Sequence, residues 1–474
     1  MIDREEIREL AREFQLDPNV VEKDYALGWL LAGLAAHPSL ADNWVFKGGT
    51  CLKKCFFETY RFSEDLDFTL RDPSHLDVAF LSRTIAEVAD WVYDTSGLEL
   101  PETARKFEVY ENPRGKLAGQ ARIGYRGPLG RTNEVPRIKL DLTSDEILVL
   151  LPLRRAIHHP YSDEPEEGLS ALCYAFEEVF AEKVRALTER MRPRDLYDVV
   201  HLHRRHDLQP NRAQVRSTLS KKCAFKGIAV PTYDALAARP QRAELESEWK
   251  NMLAHQLPAL PPFAQFWDEL PDAFAWISED EKASPLTAVG TGADVDTAWH
   301  APAMAIAWGY SSPLESVRFA GANRLCVGLL YSAKRRLVEP YSLRRTKDEN
   351  LVLYAYERDS DQIKAFRVDR IEGITITNVP FVPRYAVELS GAGPISASTV
   401  ERPARNSRSS TLRPARAPSR IPKGRVSPSL NYMFQCSLCG KRFNRKTHDA
   451  ALNPHKNKSG WDCAGRVGLY LGTR

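Results

Sequence analysis

Between residues 45 and 70 the sequence VFKGGTCLKKCFFETYRFSEDLDFTL runs from an apolar stretch into two adjacent glycines, then into two aspartates separated by one leucine. That order restricts the fold more than any other feature of the chain. WVFKGG is an apolar run closed by Gly-Gly and predicts a strand entering a turn. DLDFTL alternates and predicts a second strand, and RIKLDLT at 137–143 predicts a third. Helical periodicity surrounds them in PNVVEKDYALGWLLAGLAAH (18–37), AFEEVFAEKVRALTER (175–190) and RDLYDVVHLHRR (194–205). Strands among helices predict a mixed α/β (α+β) core over residues 1–205.

At 474 residues the chain is too long for one hydrophobic core. Residues 206–281 read as a helical extension of the first domain, with Trp249, Trp267 and Trp276 as core pieces. KASPLTAVGTGADVD lies in an expected linker, 282–302. Residues 303–389 change texture to strand-like runs (RLCVGLLYS, NLVLYAYER, IKAFRVDRIEGITIT) divided by turns, and predict a small β-rich domain. Residues 390–430 are rich in Ser, Pro, Ala and Arg, with eight Lys or Arg against one acid from Glu401 to Leu430. Too few large apolar groups occur there to offset ordering entropy, so disorder is expected. A compact tail fills 431–474. No apolar run reaches the roughly 20 residues of a membrane span. The charged N-terminus, MIDREEIRELAREF, lacks a signal peptide's apolar core, so a cytoplasmic protein is expected.

The Gly-Gly and Asp-x-Asp segments suit nucleotide chemistry. Backbone N–H groups grip phosphate best where glycine lets the main chain approach. Magnesium takes one or two carboxylates plus substrate oxygens. On a strand, Asp65 and Asp67 point to one face while Leu66 points to the other. Asp141 brings a third carboxylate from a neighbouring strand. Two metals held this way would activate an attacking oxygen and stabilise a leaving pyrophosphate. Taken separately, a lone Gly-Gly is usually just a turn and a lone Asp-x-Asp usually a solvated strand end; it is the two together, in this order, that point to catalysis.

The combination resembles the AbiEii/AbiGii family of toxin nucleotidyltransferases, in the polymerase-β-like superfamily. VEKDYALGWLL, FKGGTCLKK with RFSEDLDF, KLD, FEEVFAEKVRAL and RPRDLYDV follow one another in the family order over about the first 200 residues. The resemblance implies a nucleotidyltransferase core in which Gly48, Gly49 and Thr50 cradle the phosphates of a nucleoside triphosphate, with Ser63 close by. It implies that Asp65 and Asp67 hold magnesium, that Lys183 contacts the nucleotide, and that Asp195 completes the site as base or positioning residue. Glu182 and Arg194 are supporting candidates. Lys47 adds a phosphate contact or a surface charge, and Lys53 is expected at the surface. The resemblance further implies a toxin–antitoxin or phage-defence role, a cognate antitoxin, and transfer of a nucleotide to an RNA acceptor such as the tRNA 3′ end. RRAIHH and HLHRRH offer basic surface for such an acceptor. Two alternatives stand beside this reading: a nucleic-acid-binding regulator with a catalytically silent core, and a transferase that modifies protein or a small molecule.

VEPYSLRRTKDENLVLYAYERDSDQIKAFRVDRIEGITI resembles a WYL domain, with LVLYAY where the namesake tripeptide usually stands. The resemblance implies sensing or binding of nucleotides or single strands. Arg344, Arg345, Arg367 and Arg370 offer phosphate contacts, and Tyr341, Tyr354 and Tyr356 offer stacking; cross-strand core pairs are the competing role for the tyrosines.

The tail holds Cys436-x2-Cys439, His455 and Cys463, four ligands suited to tetrahedral zinc. His448 competes with His455 for the fourth place. A unit this small needs a metal to supplement its core, and the segment resembles a C2HC zinc finger. Its lysines and arginines (Lys441, Arg442, Arg445, Lys446, Lys456, Lys458) suggest nucleic-acid contact. The remaining cysteines, Cys51, Cys55, Cys173, Cys223 and Cys326, are scattered through apolar or mixed segments and read as free buried thiols.

Overall fold

A computed structural model describes residues 1–57, 60–130, 135–205, 208–278, 286–296 and 314–389, and in the tail residues 432–436, 441–445, 450, 452, 455–456, 462–463 and 467–473. The chain forms two compact units, Met1–Arg402 and Pro403–Arg474.

The first unit opens with α1 (Arg4–Phe14), whose N-terminal amides are capped by the Asp3 carboxylate. α2 (Pro18–Ala36) starts at Asp17 with proline in its first turn. It is buried nearly all round, through Tyr25, Trp29 and Leu30, and so forms a central helix of the core. Next come β1 (Trp44–Lys47), α3 (Gly48–Cys55), β2 (Asp65–Leu70) and α4 (Val78–Ser96), the last capped by Asp77 and closed by Gly97 at φ +74°. Five strands follow: β3 (Arg105–Glu111), β4 (Leu117–Gly124), β5 (Arg137–Thr143), β6 (Leu153–Ala156) and β7 (Ser170–Cys173).

These strands form one seven-stranded sheet in the order β3-β4-β5-β2-β1-β7-β6. β2 runs parallel to β5 and β1 parallel to β7, while the other pairs are antiparallel. Alternation sorts the faces. Leu66 and Phe68 on β2, with Ile138, Leu140 and Leu142 on β5, are buried in the core. Asp65, Asp67 and Asp141 lie on the opposite face.

Two helices complete the frame of that face, α5 (Phe176–Arg190) and α6 (Pro193–His203). The Glu178 carboxylate accepts from the backbone N–H of Val149 (2.9 Å) and Leu150 (2.8 Å) and pairs with Lys222 at 3.0 Å, anchoring α5 to the loop after β5. The expected helical extension follows as α7 (Arg212–Lys226), α8 (Tyr233–Ala237), α9 (Arg242–Ser247), α10 (Trp249–Leu253), α11 (Phe263–Asp268) and α12 (Leu270–Ser278). Trp249 and Trp267 are buried and Trp276 is partly buried, stacked on Phe180.

The β-rich part begins with α13 (Leu314–Ala322), followed by β8 (Leu325–Tyr331), β9 (Lys334–Arg345), β10 (Leu351–Glu357), β11 (Gln362–Arg367) and β12 (Ile371–Pro380). Its antiparallel sheet has the order β11-β10-β9-β8-β12. Residues 286–296, expected as linker, are held against β9. Val289 and Val295 are buried, Val295 bridges Thr346, and Asp296 pairs with Arg345 at 2.6 Å. The remainder of that linker and all of 390–430 lie outside the described residues.

In the second unit β13 (Tyr432–Cys436) pairs with both β14 (Arg442–Arg445) and β17 (Gly468–Thr473), and β15 (His455–Lys456) pairs with β16 (Asp462–Cys463). Among the described residues no helix is long and apolar enough to cross a membrane.

Candidate active site

The register of three strands builds the site. Lys47 on β1 faces Asp67 on β2, and Asp67 faces Asp141 on β5. Three carboxylates therefore share one surface, since Asp65 lies two residues from Asp67. Burial pushes the Asp67 carboxyl up to about 6; Asp141 and Asp65 push the same way, against the pull of Lys47 and Lys183. Such crowding of hard oxygen donors is what a divalent cation relieves, so these side chains fit magnesium. Asp141 is also held by Lys139 (2.7 Å) and by the Gln120 amide (3.2 Å).

Gly48 and Gly49 open α3 directly from β1, and the N-cap residue, Lys47, provides no side-chain cap. Gly48 has φ +83°, and a Cβ there would stand 2.3 Å from Asp67 Oδ2. A Cβ on Gly49 would stand 2.5 Å from Arg61 Nη2 and 3.2 Å from Ser63 Oγ. Gly48 is held to glycine by both its backbone and the Asp67 carboxylate, and a side chain at Gly49 would have to displace the Arg61 guanidinium. Helix N–H groups at such a start attract anions. The Thr50 hydroxyl donates to the Asp65 carbonyl and so fixes α3 against β2.

α5 and α6 supply a buried charge hub. Lys183 Nζ lies 2.7 Å from Asp198 Oδ2 and 3.8 Å from Asp195 Oδ1. Arg61 Nε and Nη2 donate to Asp198 at 2.7 and 2.8 Å. Burial alone would raise the Asp198 pKa, but Arg61 and then Lys183 outweigh it and hold the carboxylate well below its usual range. Asp195 accepts from Arg190 Nε and Nη2 at 2.6 and 2.8 Å. The Arg194 Nε is buried and without a hydrogen-bond partner among the described residues.

A family model described as nucleotidyl transferase AbiEii toxin, type IV toxin–antitoxin system, matches residues 29–278 of this chain. The chain belongs to the AbiEii family of nucleotidyltransferase toxins. A second model, of the WYL domain, matches residues 314–376. Among solved structures, the nucleotidyltransferase toxin MenT4 of Mycobacterium tuberculosis is similar at 21% identity, over 60% of this chain and 91% of that one, with a TM-score of 0.40. JHP933 of Helicobacter pylori is similar at 18% identity over 55% and 93%, with a TM-score of 0.34. The proteasome accessory factor B/C of Arthrobacter aurescens is similar at 11% identity over 78% and 74%, with a TM-score of 0.15. None of the curated proteins compared with the chain matches it.

In this AbiEii nucleotidyltransferase, Asp65, Asp67, Asp141, Gly48, Gly49, Ser63 and Lys183 lie around one surface, joined by strand register, close approach or charge. Asp198 and Arg61 were missed from sequence. Asp198 stands three residues after Asp195 on the same helix, and that spacing was the available signal. Glu182 lies off the hub, paired with Arg185 and, at 3.4 Å, with Lys222. Lys47 bonds Glu146 at 2.5 Å.

Three expectations are corrected. Lys53 is buried, with its ammonium 4.6 Å from the centre of the Phe62 ring, not at the surface. RRAIHH is no basic patch: His159 is buried, Arg154 bonds Asp42, and Arg155 Nε donates to the Cys55 carbonyl. In HLHRRH, His201 and Arg205 are buried and Arg204 pairs with Glu269 at 2.7 Å; His206 lies outside the described residues.

In the WYL domain, Arg344 pairs with Glu388, Arg345 with Asp296, and Arg367 with Asp369 at 2.7 Å. Tyr341 is buried and bonds Glu339 at 2.8 Å, while Tyr356 is buried, bonds Asp361 and lies under the Arg384 guanidinium. In the tail, ligand atoms of Cys436, His455 and Cys463 lie within 4.8 Å of one another, with the two sulfurs 3.8 Å apart. Cys439 and His448 fall outside the described residues.

Proposed function

We propose that this enzyme is a magnesium-dependent toxin of the cytoplasm that transfers a nucleotide from a nucleoside triphosphate to an RNA acceptor, the tRNA 3′ end being the favoured class. The single observation carrying the reading is the shared face of Asp65, Asp67 and Asp141, with Gly48 pressed against Asp67. In this reading Asp65 and Asp67, with Asp141 beside them, hold the metal. Bound magnesium would supply Lewis-acid polarisation of the triphosphate oxygens.

The backbone at Gly48 and Gly49 and the first turn of α3 receive phosphate oxygens. Thr50 acts by fixing that turn and Ser63 by lining it. Lys183 presents positive charge to the departing pyrophosphate as the acceptor hydroxyl displaces it from the α-phosphorus. Asp195 positions Arg190, and Asp198 positions Lys183. Arg194 supplies a guanidinium whose Nε still has a bond to make. Residues 1–205 with the extension to 281 form the catalytic domain, 303–389 the WYL-like domain, 390–430 a basic linker, and 431–474 a zinc-binding tail. Cys436, Cys439, His455 and Cys463 close that tail's metal site, which suits a structural role. The WYL-like module contributes nucleic-acid contacts through Arg344, Arg345 and Arg367, and a cognate antitoxin opposes the activity in a phage-defence setting.

The test incubates the protein with each labelled triphosphate, total RNA and magnesium. Label on RNA is expected, and its loss in Asp65→Asn and Asp67→Asn. Label on protein alone, or RNA labelling that survives both substitutions, overturns the reading.

A further inference from the structure

Three cysteines that are far apart in the sequence meet beside the helix that begins at the Gly-Gly pair. Cys51 and Cys55 stand four residues apart on α3 and share one of its faces. Cys173 ends β7, where it pairs with Phe46 of β1. Their Sγ atoms all lie within 4.8 Å of one another, and all three residues are buried. A single buried cysteine behaves as a small hydrophobe. Three thiols converging on one point from two elements make a ligand set.

We propose that Cys51, Cys55 and Cys173 form a trigonal thiolate site for a soft monovalent cation of Cu(I) type. Thiolates select Cu(I), zinc and iron–sulfur clusters. Structural zinc takes four ligands and iron–sulfur clusters take four cysteines. Among the described residues no fourth His, Cys, Asp or Glu joins this group. Three soft donors in a dry site therefore favour a three-coordinate monovalent ion. Three thiolates and one such ion carry net negative charge, and the neighbouring Arg155 guanidinium opposes it. Arg155 donates through Nε to the Cys55 carbonyl at 2.7 Å. On binding, three sulfur–metal bonds form, each S–H bond breaks with its proton passing to solvent, and no electron is transferred. The ion would tie the end of α3 to β7, a site separate in position and chemistry from the hard carboxylates of β2 and β5.

The test uses the full-length chain carrying Cys436→Ser, Cys439→Ser and Cys463→Ser, which removes the tail's thiols. It is titrated anaerobically with Cu(I) against a chromophoric Cu(I) chelator. The expected result is one Cu(I) withdrawn from the chelator per chain, an ultraviolet sulfur-to-copper charge-transfer band, and three sulfur neighbours by X-ray absorption. Cys51→Ala and Cys173→Ser, which delete ligands from different elements, should each abolish the band while circular dichroism stays that of the parent. If the folded parent leaves all copper on the chelator, or shows fewer than three sulfur neighbours, the site does not exist. A folded single variant that binds as the parent does overturns it equally. Should both variants misfold, the sulfur count of the parent decides. None of these readouts depends on nucleotide transfer.

Discussion

At Gly48 two constraints coincide: a left-handed φ of +83° and an Asp67 oxygen 2.3 Å from where a Cβ would sit. Gly115 separates them, since it has φ +69° with nothing within 4 Å of its Cβ position. Alanine at either site carries backbone strain of about 1–3 kcal/mol. Only Gly48→Ala also displaces a carboxylate. Nucleotide transfer is expected to fall by roughly 100-fold or more in Gly48→Ala, in keeping with an ångström-scale misplacement, and to stay near the parent value in Gly115→Ala. Equal losses in the two variants would remove Asp67 from the explanation. Asp198 makes a second residue-scale case. Its pKa is depressed in the folded chain by Arg61 and Lys183. The stabilisation it gives is therefore complete above the unfolded value of about 3.9 and is lost as pH falls below it. Asp198→Asn leaves the buried Arg61 without its carboxylate and Lys183 with only Asp195 at 3.8 Å, and should cost about 3–5 kcal/mol near neutral pH. The gap in urea midpoint between parent and variant should hold from about pH 7 to 5 and shrink below about pH 4. A gap that is constant across this range would show that the pair is not the source of the loss.

α6 carries Asp195 and Asp198 of the candidate site, and it is pinned from outside the region that matches the AbiEii model. The buried Tyr197 hydroxyl donates to Asn323 Oδ1 at 2.8 Å, just past the end of α13. Tyr197→Phe leaves that oxygen buried without its donor, at a cost of about 1–3 kcal/mol. Hydrogen exchange should quicken along α6 more than along α1, which Tyr197 does not bond; unchanged protection of α6 would refute the pin. The elements themselves were largely legible. DLDFTL and RIKLDLT became β2 and β5 residue for residue, because period-two alternation is local. α5 and α6 followed their apolar spacing in the same way. What the sequence did not show was set by contacts between distant segments. Arg61 reaches Asp198 across 137 positions. Lys53 and the two basic runs are polar in composition, yet the fold covers them with aromatic and acidic neighbours. The thiols of Cys51, Cys55 and Cys173 looked scattered until β7 was laid beside β1.

At the scale of the first unit, the catalytic domain and the WYL domain share one apolar interior. Leu314, Val317, Phe319 and Ala320 of α13 belong to the same buried cluster as Leu196, Tyr197 and Phe266. Polar ties reinforce it: Arg204 and Arg324 both pair with Glu269, at 2.7 and 2.6 Å, and Gln15 donates to Ser316 at 3.1 Å. A chain ending at residue 281 would expose the seat of α13. Each large apolar side chain lost from such a seat removes roughly 1.5–3 kcal/mol, and Glu269 would keep only one of its two cationic partners. A chain ending at residue 402 retains all of these contacts. The shorter chain should therefore melt well below the longer one, be cut sooner by protease in α6 and α11, and transfer nucleotide more slowly because Asp198 and Asp195 ride on α6. The two domains of the longer chain should unfold in one transition. Equal melting temperatures for the two truncations would make the WYL domain a passenger, whereas a large difference makes α13 a structural support of α6.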